Sequence, residues 1–84
     1  MQKRIGILRG GVGGHYRRSL QKGGEIIFYL AEKLPHQYRP VDILVDQSGL
    51  WHVGGRPIVL SDLMHRVDTV WNVAHAHFSH SLDS

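Results

Sequence analysis

The chain alternates short apolar runs with one longer stretch of helical period. Ile5 to Leu8 form an apolar run bounded by Gly10 and Gly11, which predicts a buried strand. From about Ser19 the apolar residues recur at helical spacing until Pro35, and Ser19 or a residue just before it is expected to cap that helix. The repeating apolar positions are Leu20, Ile27, Leu30, Ala31 and Leu34.

Gly23 and Gly24 interrupt this predicted helix. Each glycine inside a helix costs about 1 kcal/mol relative to alanine. A helix that contains such a pair needs a compensating interaction that only glycine permits. We therefore expect close packing of this turn against the sheet.

The second half of the chain contains three more predicted strands. Residues 39–46 alternate as a strand with Val41, Ile43 and Val45 on one face, and residues 50–53 form a short antiparallel strand closed by Gly54-Gly55. Ser61-Asp62 resembles the cap and first turn of a short helix. Residues 68–74 form the last strand, and residues 75–84 show no clear period.

The resulting order, β-α-β-β-α-β, predicts one α/β domain over residues 1–84. We expect a small three-layer α/β fold with a mostly parallel four-stranded sheet. The predicted strand order is 3-2-1-4, with the third strand as an antiparallel edge. The first helix should cover one face of the sheet and the short second helix part of the other.

Composition narrows the function classes. The 84 residues allow one domain, and the absence of cysteine excludes disulfides, thiolate metal sites and thiol catalysis. That absence fits a cytoplasmic location. The formal charge of +3 permits an anionic ligand without requiring nucleic acid. With so mild a charge we expect no nucleic-acid partner. Neither a membrane-length apolar run nor a signal-peptide pattern is present, so we expect no membrane partner either.

The glycine-rich stretch 10–14 is the first candidate for chemistry. Four of its five residues are glycine, and it connects a strand to a helix, where α/β proteins bind anions. The dinucleotide fingerprint is not met, because position 16 is tyrosine. No Gly-Lys-Ser/Thr follows, so the P-loop pattern is not met either. The stretch is thus either an anion-binding loop or a flexible turn.

Histidine and arginine supply two further candidates. His75, His77 and His80 lie close together, and three imidazoles can bind Zn²⁺, Ni²⁺ or Cu²⁺, either as a site or adventitiously. The alternative is a solvated polar tail. The sequence 15–18, His-Tyr-Arg-Arg, either holds a phosphate or carboxylate at the helix start or is a solvated first turn.

Three colinear segments resemble one family. They are residues 3–11 followed by Ser19-Leu20-x-x-Gly23, residues 42–46 followed by 49–52, and residues 68–75, Asp-Thr-Val-Trp-Asn-Val-Ala-His. In this order they resemble the N-terminal, Rossmann-like domain of D-alanine–D-alanine ligases, which precedes an ATP-grasp fold.

The resemblance implies a substrate-side domain of a ligase in peptidoglycan precursor synthesis. In that family the segment contributes to the pocket for the first D-alanine, while later domains hold ATP and Mg²⁺. We therefore expect no cofactor in this chain and no ligase activity by the chain alone. The alternative is a ligase-like scaffold that binds a small anion or a metal.

The family pattern transfers to this chain only in part. Ser19 and His75 match it, but the loop glutamate of the family corresponds to His15. After His75 the family continues Gly-x-x-Gly-Glu-Asp-Gly, whereas this chain has Ala-His-Phe-Ser-His-Ser-Leu. The predicted substrate- or anion-binding residues are Gly10, Gly11, Gly13, Gly14, His15, Arg17, Ser19 and His75, and the predicted metal ligands are His75, His77 and His80.

The last predicted strand suggests self-association. In the family more sheet follows this strand, so here it forms an open edge bearing Val70, Trp71 and Val73. Open apolar edges recruit partners. We expect a homodimer through this edge or through the poorly covered sheet face.

Overall fold

A computed structural model describes residues 2–74 of the chain. It contains a five-stranded mixed sheet with the order β4-β3-β2-β1-β5 and two helices. The elements are β1 Lys3–Gly10, α1 Tyr16–Lys33, β2 Tyr38–Val45, β3 Trp51–Val53, β4 Arg56–Pro57, α2 Leu60–Leu63 and β5 Thr69–Asn72.

Strand β1 is the centre of the parallel part of the sheet. It pairs in parallel with β2 on one side and with β5 on the other, so Ile7 lies between Asp42 and Trp71. The carboxyl ends of these three strands therefore meet at one end of the sheet, where open α/β sheets bind ligands. Strands β3 and β4 extend the sheet antiparallel beyond β2.

The two faces of the sheet carry separate apolar cores. Ile7 and Leu8 are both fully buried and point to opposite faces, as neighbours on a strand must. Ile7 packs in a cluster with Leu30 of α1, whereas Leu8 packs in a cluster with Leu63 of α2. The two helices thus cover opposite faces, which confirms the predicted layers.

The main strand assignments are confirmed, with shifted bounds. Helix α1 begins at Tyr16, earlier than predicted, because the turn starts directly after the glycine loop. Its N-cap residue is His15, which makes no capping hydrogen bond from its side chain. Ser19 therefore lies within the helix and does not cap it.

The four predicted strands lie in the predicted order, but the sheet has a fifth strand at one edge. Gly54 and Gly55, with φ of +61° and +80°, form a two-residue turn that pairs Val53 with Arg56. Positive φ at both central positions is typical of a hairpin turn. The chain therefore adds a fifth strand, β4, and β3 lies between β2 and β4 instead of at the edge.

Two smaller expectations were also wrong. Helix α2 has Val59 as its N-cap, so Ser61 does not cap it, although Asp62 lies in its first turn as expected. Strand β5 ends at Asn72, because the N–H of Val73 donates a hydrogen bond to the carbonyl of Trp71, at 3.1 Å, and the backbone turns there. No helix in residues 2–74 is both long and apolar enough to cross a bilayer.

Candidate functional site

Ser19 links the carboxyl ends of β1 and β5. Its hydroxyl accepts a hydrogen bond from the Gly10 N–H at 3.0 Å and donates one to the Val73 carbonyl at 3.2 Å. The residue is buried, and a hydroxyl with both kinds of partner is well satisfied. Ser19 therefore fixes the first turn of α1 to two neighbouring strand ends.

The glycine loop lies against the segment that follows β5. Gly10 has φ of +95°, and a Cβ there would overlap the carbonyl oxygen of Val45. A Cβ on Gly11 would lie 2.9 Å from the carbonyl oxygen of Ala74. Gly13 and Gly14 face open space, because a Cβ at either position would have no neighbouring atom within 4 Å. The first half of the loop is thus packed, and the second half is open.

A small cationic cleft opens beside this junction. It has a volume of about 310 Å³ and is lined by His15, Arg18, Ser19, Lys22 and Val73. Among residues 2–74, the ion pairs involve other side chains, so Arg18 and Lys22 are not neutralised by a direct partner. The nearest acidic residue along this helix, Glu25, bonds Gln21 at 3.4 Å. The cleft suits an anionic group.

The predicted binding residues are therefore only partly brought together. His15 and Ser19 line the cleft, but Arg17 does not. Arg18 belongs to the stretch 15–18 that was considered for anion binding, but Lys22 was missed, although positions 15, 18 and 22 share one face of a helix. His75, His77 and His80 lie outside the described residues. Within residues 2–74, no three histidine or acidic side chains gather as metal ligands.

A second cleft lies on the other side of α1, above β2 and β3. It has a volume of about 600 Å³. Its lining is Arg9, Tyr16, Leu20, Asp42, Leu44, His52, Gly54 and Gly55.

A guanidinium–carboxylate pair forms the floor of this second cleft. Arg9 donates from Nε and Nη2 to the two oxygens of Asp42 at 2.9 and 2.7 Å. It also donates to the carbonyl of Leu20 at 3.0 Å. Hydrogen bonding to Asp42 raises the pKa of Arg9. This pair was not predicted, because only the strand register brings the two side chains together.

The hairpin wall of the cleft is organised by Asp46. One carboxylate oxygen accepts from the N–H and hydroxyl of Ser48 and from the N–H of Leu50, at 2.7 to 3.0 Å. The other lies 2.9 Å from Nε2 of His52. Bonding to His52, then to Ser48 and Leu50, holds the pKa of Asp46 well below its usual range.

Comparison with known proteins assigns no family to this geometry. No protein-family model matches the chain, and no curated protein matches it.

Proposed function

We propose that this chain is a substrate-side domain similar to the N-terminal domain of D-alanine–D-alanine ligases. Its cationic cleft would hold the anionic group of a small ligand, such as the carboxylate of D-alanine. The observation that carries the proposal is the Ser19 linkage, which places the cleft at the adjoining carboxyl ends of β1 and β5. A domain with this role would act in the cytoplasm, and the lack of cysteine agrees with that location.

The charges beside the linkage support an anionic ligand. Arg18 and Lys22 are exposed members of the cleft, and His15 adds a third nitrogen donor. The neighbouring Gly13 and Gly14 have open space beside their Cα atoms, so a ligand can approach the backbone of this part of the loop closely. The macrodipole disfavours positive side chains at a helix start, and a bound anion would offset that repulsion.

The binding test compares D-alanine with inorganic phosphate. Amide NMR titration of the chain should show D-alanine shifting signals of Gly13, Gly14 and Ser19. Arg18→Ala combined with Lys22→Ala should weaken binding about tenfold or more, since hydrogen bonds to charged groups contribute roughly 1.5–3 kcal/mol each. Arg39→Ala, an exposed arginine at the start of β2, is the matched control.

The outcomes separate the ligase-like role from its alternative. Binding of phosphate with no response to D-alanine favours a small-anion module on a ligase-like scaffold. No response to either ligand contradicts both. With D-alanine, ATP and Mg²⁺ present, the chain alone should release no phosphate, and clear turnover would contradict the inactive-domain proposal.

A second candidate role is self-association through β5. Among residues 2–74, β5 pairs with a strand on one side only, and Trp71 is 49% exposed at that edge. We propose that a second copy of the chain covers this edge. Sedimentation over a concentration series should show a dimer that Trp71→Lys weakens and Phe28→Lys, on an exposed position of α1, does not. A monomer throughout the series contradicts this role.

A further inference from the structure

We infer that the second cleft, between α1 and the β3–β4 hairpin, binds a small ligand carrying a primary ammonium group on an apolar body. This inference is independent of the cationic cleft proposed above. The two clefts lie on opposite sides of α1, and Arg18 and Lys22 line only the first. The second is defined by Asp42, which the first does not contain.

The accessible charge in the second cleft is a carboxylate. In the Arg9–Asp42 pair, 49% of the Asp42 side chain is exposed, against 27% of the Arg9 side chain. Arg9 is further occupied by the Leu20 carbonyl. Each Asp42 oxygen accepts one bond from Arg9 and keeps lone-pair capacity for another donor. Asp42 is therefore the more accessible of the two charged groups to a ligand entering the cleft.

The wall near the hairpin adds to the negative character. His52 lines the cleft, and Asp46 lies directly behind it. A carboxylate only accepts hydrogen bonds, so Nε2 of His52 donates to Asp46. Asp46 already accepts from Ser48, Leu50 and His52, so Asp42 is the carboxylate that a ligand in the cleft can reach. An ammonium group suits this surrounding better than an anion.

The remaining lining fits an apolar body beside that ammonium. Tyr16, Leu20 and Leu44 supply a ring and two aliphatic side chains, all half-buried. An aromatic face also attracts a cation directly. A volume of about 600 Å³ is in the range of small-molecule sites. An aryl or alkyl amine thus matches both the charge and the surface of the cleft.

The probe for this site is benzylamine, with benzyl alcohol as the uncharged counterpart. In an amide NMR titration, benzylamine should shift the signals of His52, Gly54 and Gly55, and benzyl alcohol should bind several-fold more weakly. Asp42→Asn, which keeps the shape and removes the charge, should weaken benzylamine about tenfold, the loss of one charge-assisted hydrogen bond. Asp62→Asn, on the opposite face of the sheet, should leave binding unchanged.

Several results would overturn the inference. Equal affinity for benzyl alcohol would show an apolar surface with no ammonium site. The inference would also fail if folded Asp42→Asn bound benzylamine with unchanged affinity, or if millimolar benzylamine shifted no amide signals. Should Asp42→Asn fail to fold, Tyr16→Ala decides the matter: several-fold weaker binding supports the site, and unchanged binding rejects it.

Discussion

Gly23 of α1 lies directly above Arg9 of β1. A Cβ added at Gly23 would be 2.5 Å from the Cβ and 2.8 Å from the Cδ of Arg9, closer than side chains tolerate. The glycine lets the helix approach the strand so that Arg9 reaches the Leu20 carbonyl and Asp42. The close packing predicted for this turn is confirmed at Gly23, and its partner is a charged side chain.

Gly23→Ala should destabilise the fold, although alanine is the better helix former. We expect a loss of about 1–3 kcal/mol in the free energy of unfolding, measured by urea denaturation, because the strand backbone cannot move away. Gly24→Ala is the matched control, since its added Cβ meets only the terminal Nη1 of Arg9 at 3.0 Å. A Gly23→Ala variant at least as stable as Gly24→Ala would show that the helix adjusts without cost.

Ser19→Ala should loosen the junction of β1, α1 and β5. The change leaves the Gly10 N–H and the Val73 carbonyl without their buried partner. We expect a loss of about 1–3 kcal/mol, together with faster amide exchange at Gly10. Ser61→Ala, on the exposed surface of α2, should change stability by less than about 0.5 kcal/mol. Equal stability of the two variants would argue against the linkage.

Gly10→Ala should be among the most damaging changes in the glycine loop. The residue has φ of +95°, and the new methyl group would overlap the Val45 carbonyl. We expect a loss of about 2 kcal/mol or more, read from thermal or urea unfolding. At Gly14, which has ordinary φ and no neighbouring atoms, alanine should have little effect. Comparable losses at the two positions would contradict the described loop.

Acid should weaken the fold in part through Asp46. The pKa of Asp46 is lowered in the folded chain, so its stabilising contribution is fully present above the unfolded value of about 3.9 and is lost as pH falls below it. Urea midpoints from about pH 6 to about pH 2 should fall more steeply for the wild type than for Asp46→Asn. Asp68, whose pKa Arg4 lowers, contributes to the same slope in both proteins. Identical slopes would mean that Asp46 does not couple to folding.

The parts of the fold that follow from local pattern were predictable, and those that depend on register were not. The β-α-β alternation led to the right order for β3, β2, β1 and β5. Strand β4 was missed because Arg56 and Pro57 are too few to show a period of two.

The two clefts also differ in how far the local sequence pattern could predict them. Residues 15, 18 and 22 share a helical face, so the cationic cleft was within reach of sequence reasoning. Arg9 and Asp42 are 33 positions apart and meet only on the diagonal of a parallel ladder. No local period predicts such a pair, and the second cleft therefore emerged only from the structure.

The position of β1 has a consequence for the order in which the chain can fold. The strand made first is the central one, yet one of its two neighbours, β5, is made last among the described elements. The hydrogen bond from the Arg4 N–H to Asp68 cannot form until Asp68 has been synthesised, 64 residues later. On the ribosome, β1, α1 and β2 can associate early, while one side of β1 stays without its hydrogen-bonding strand until translation has passed Asn72.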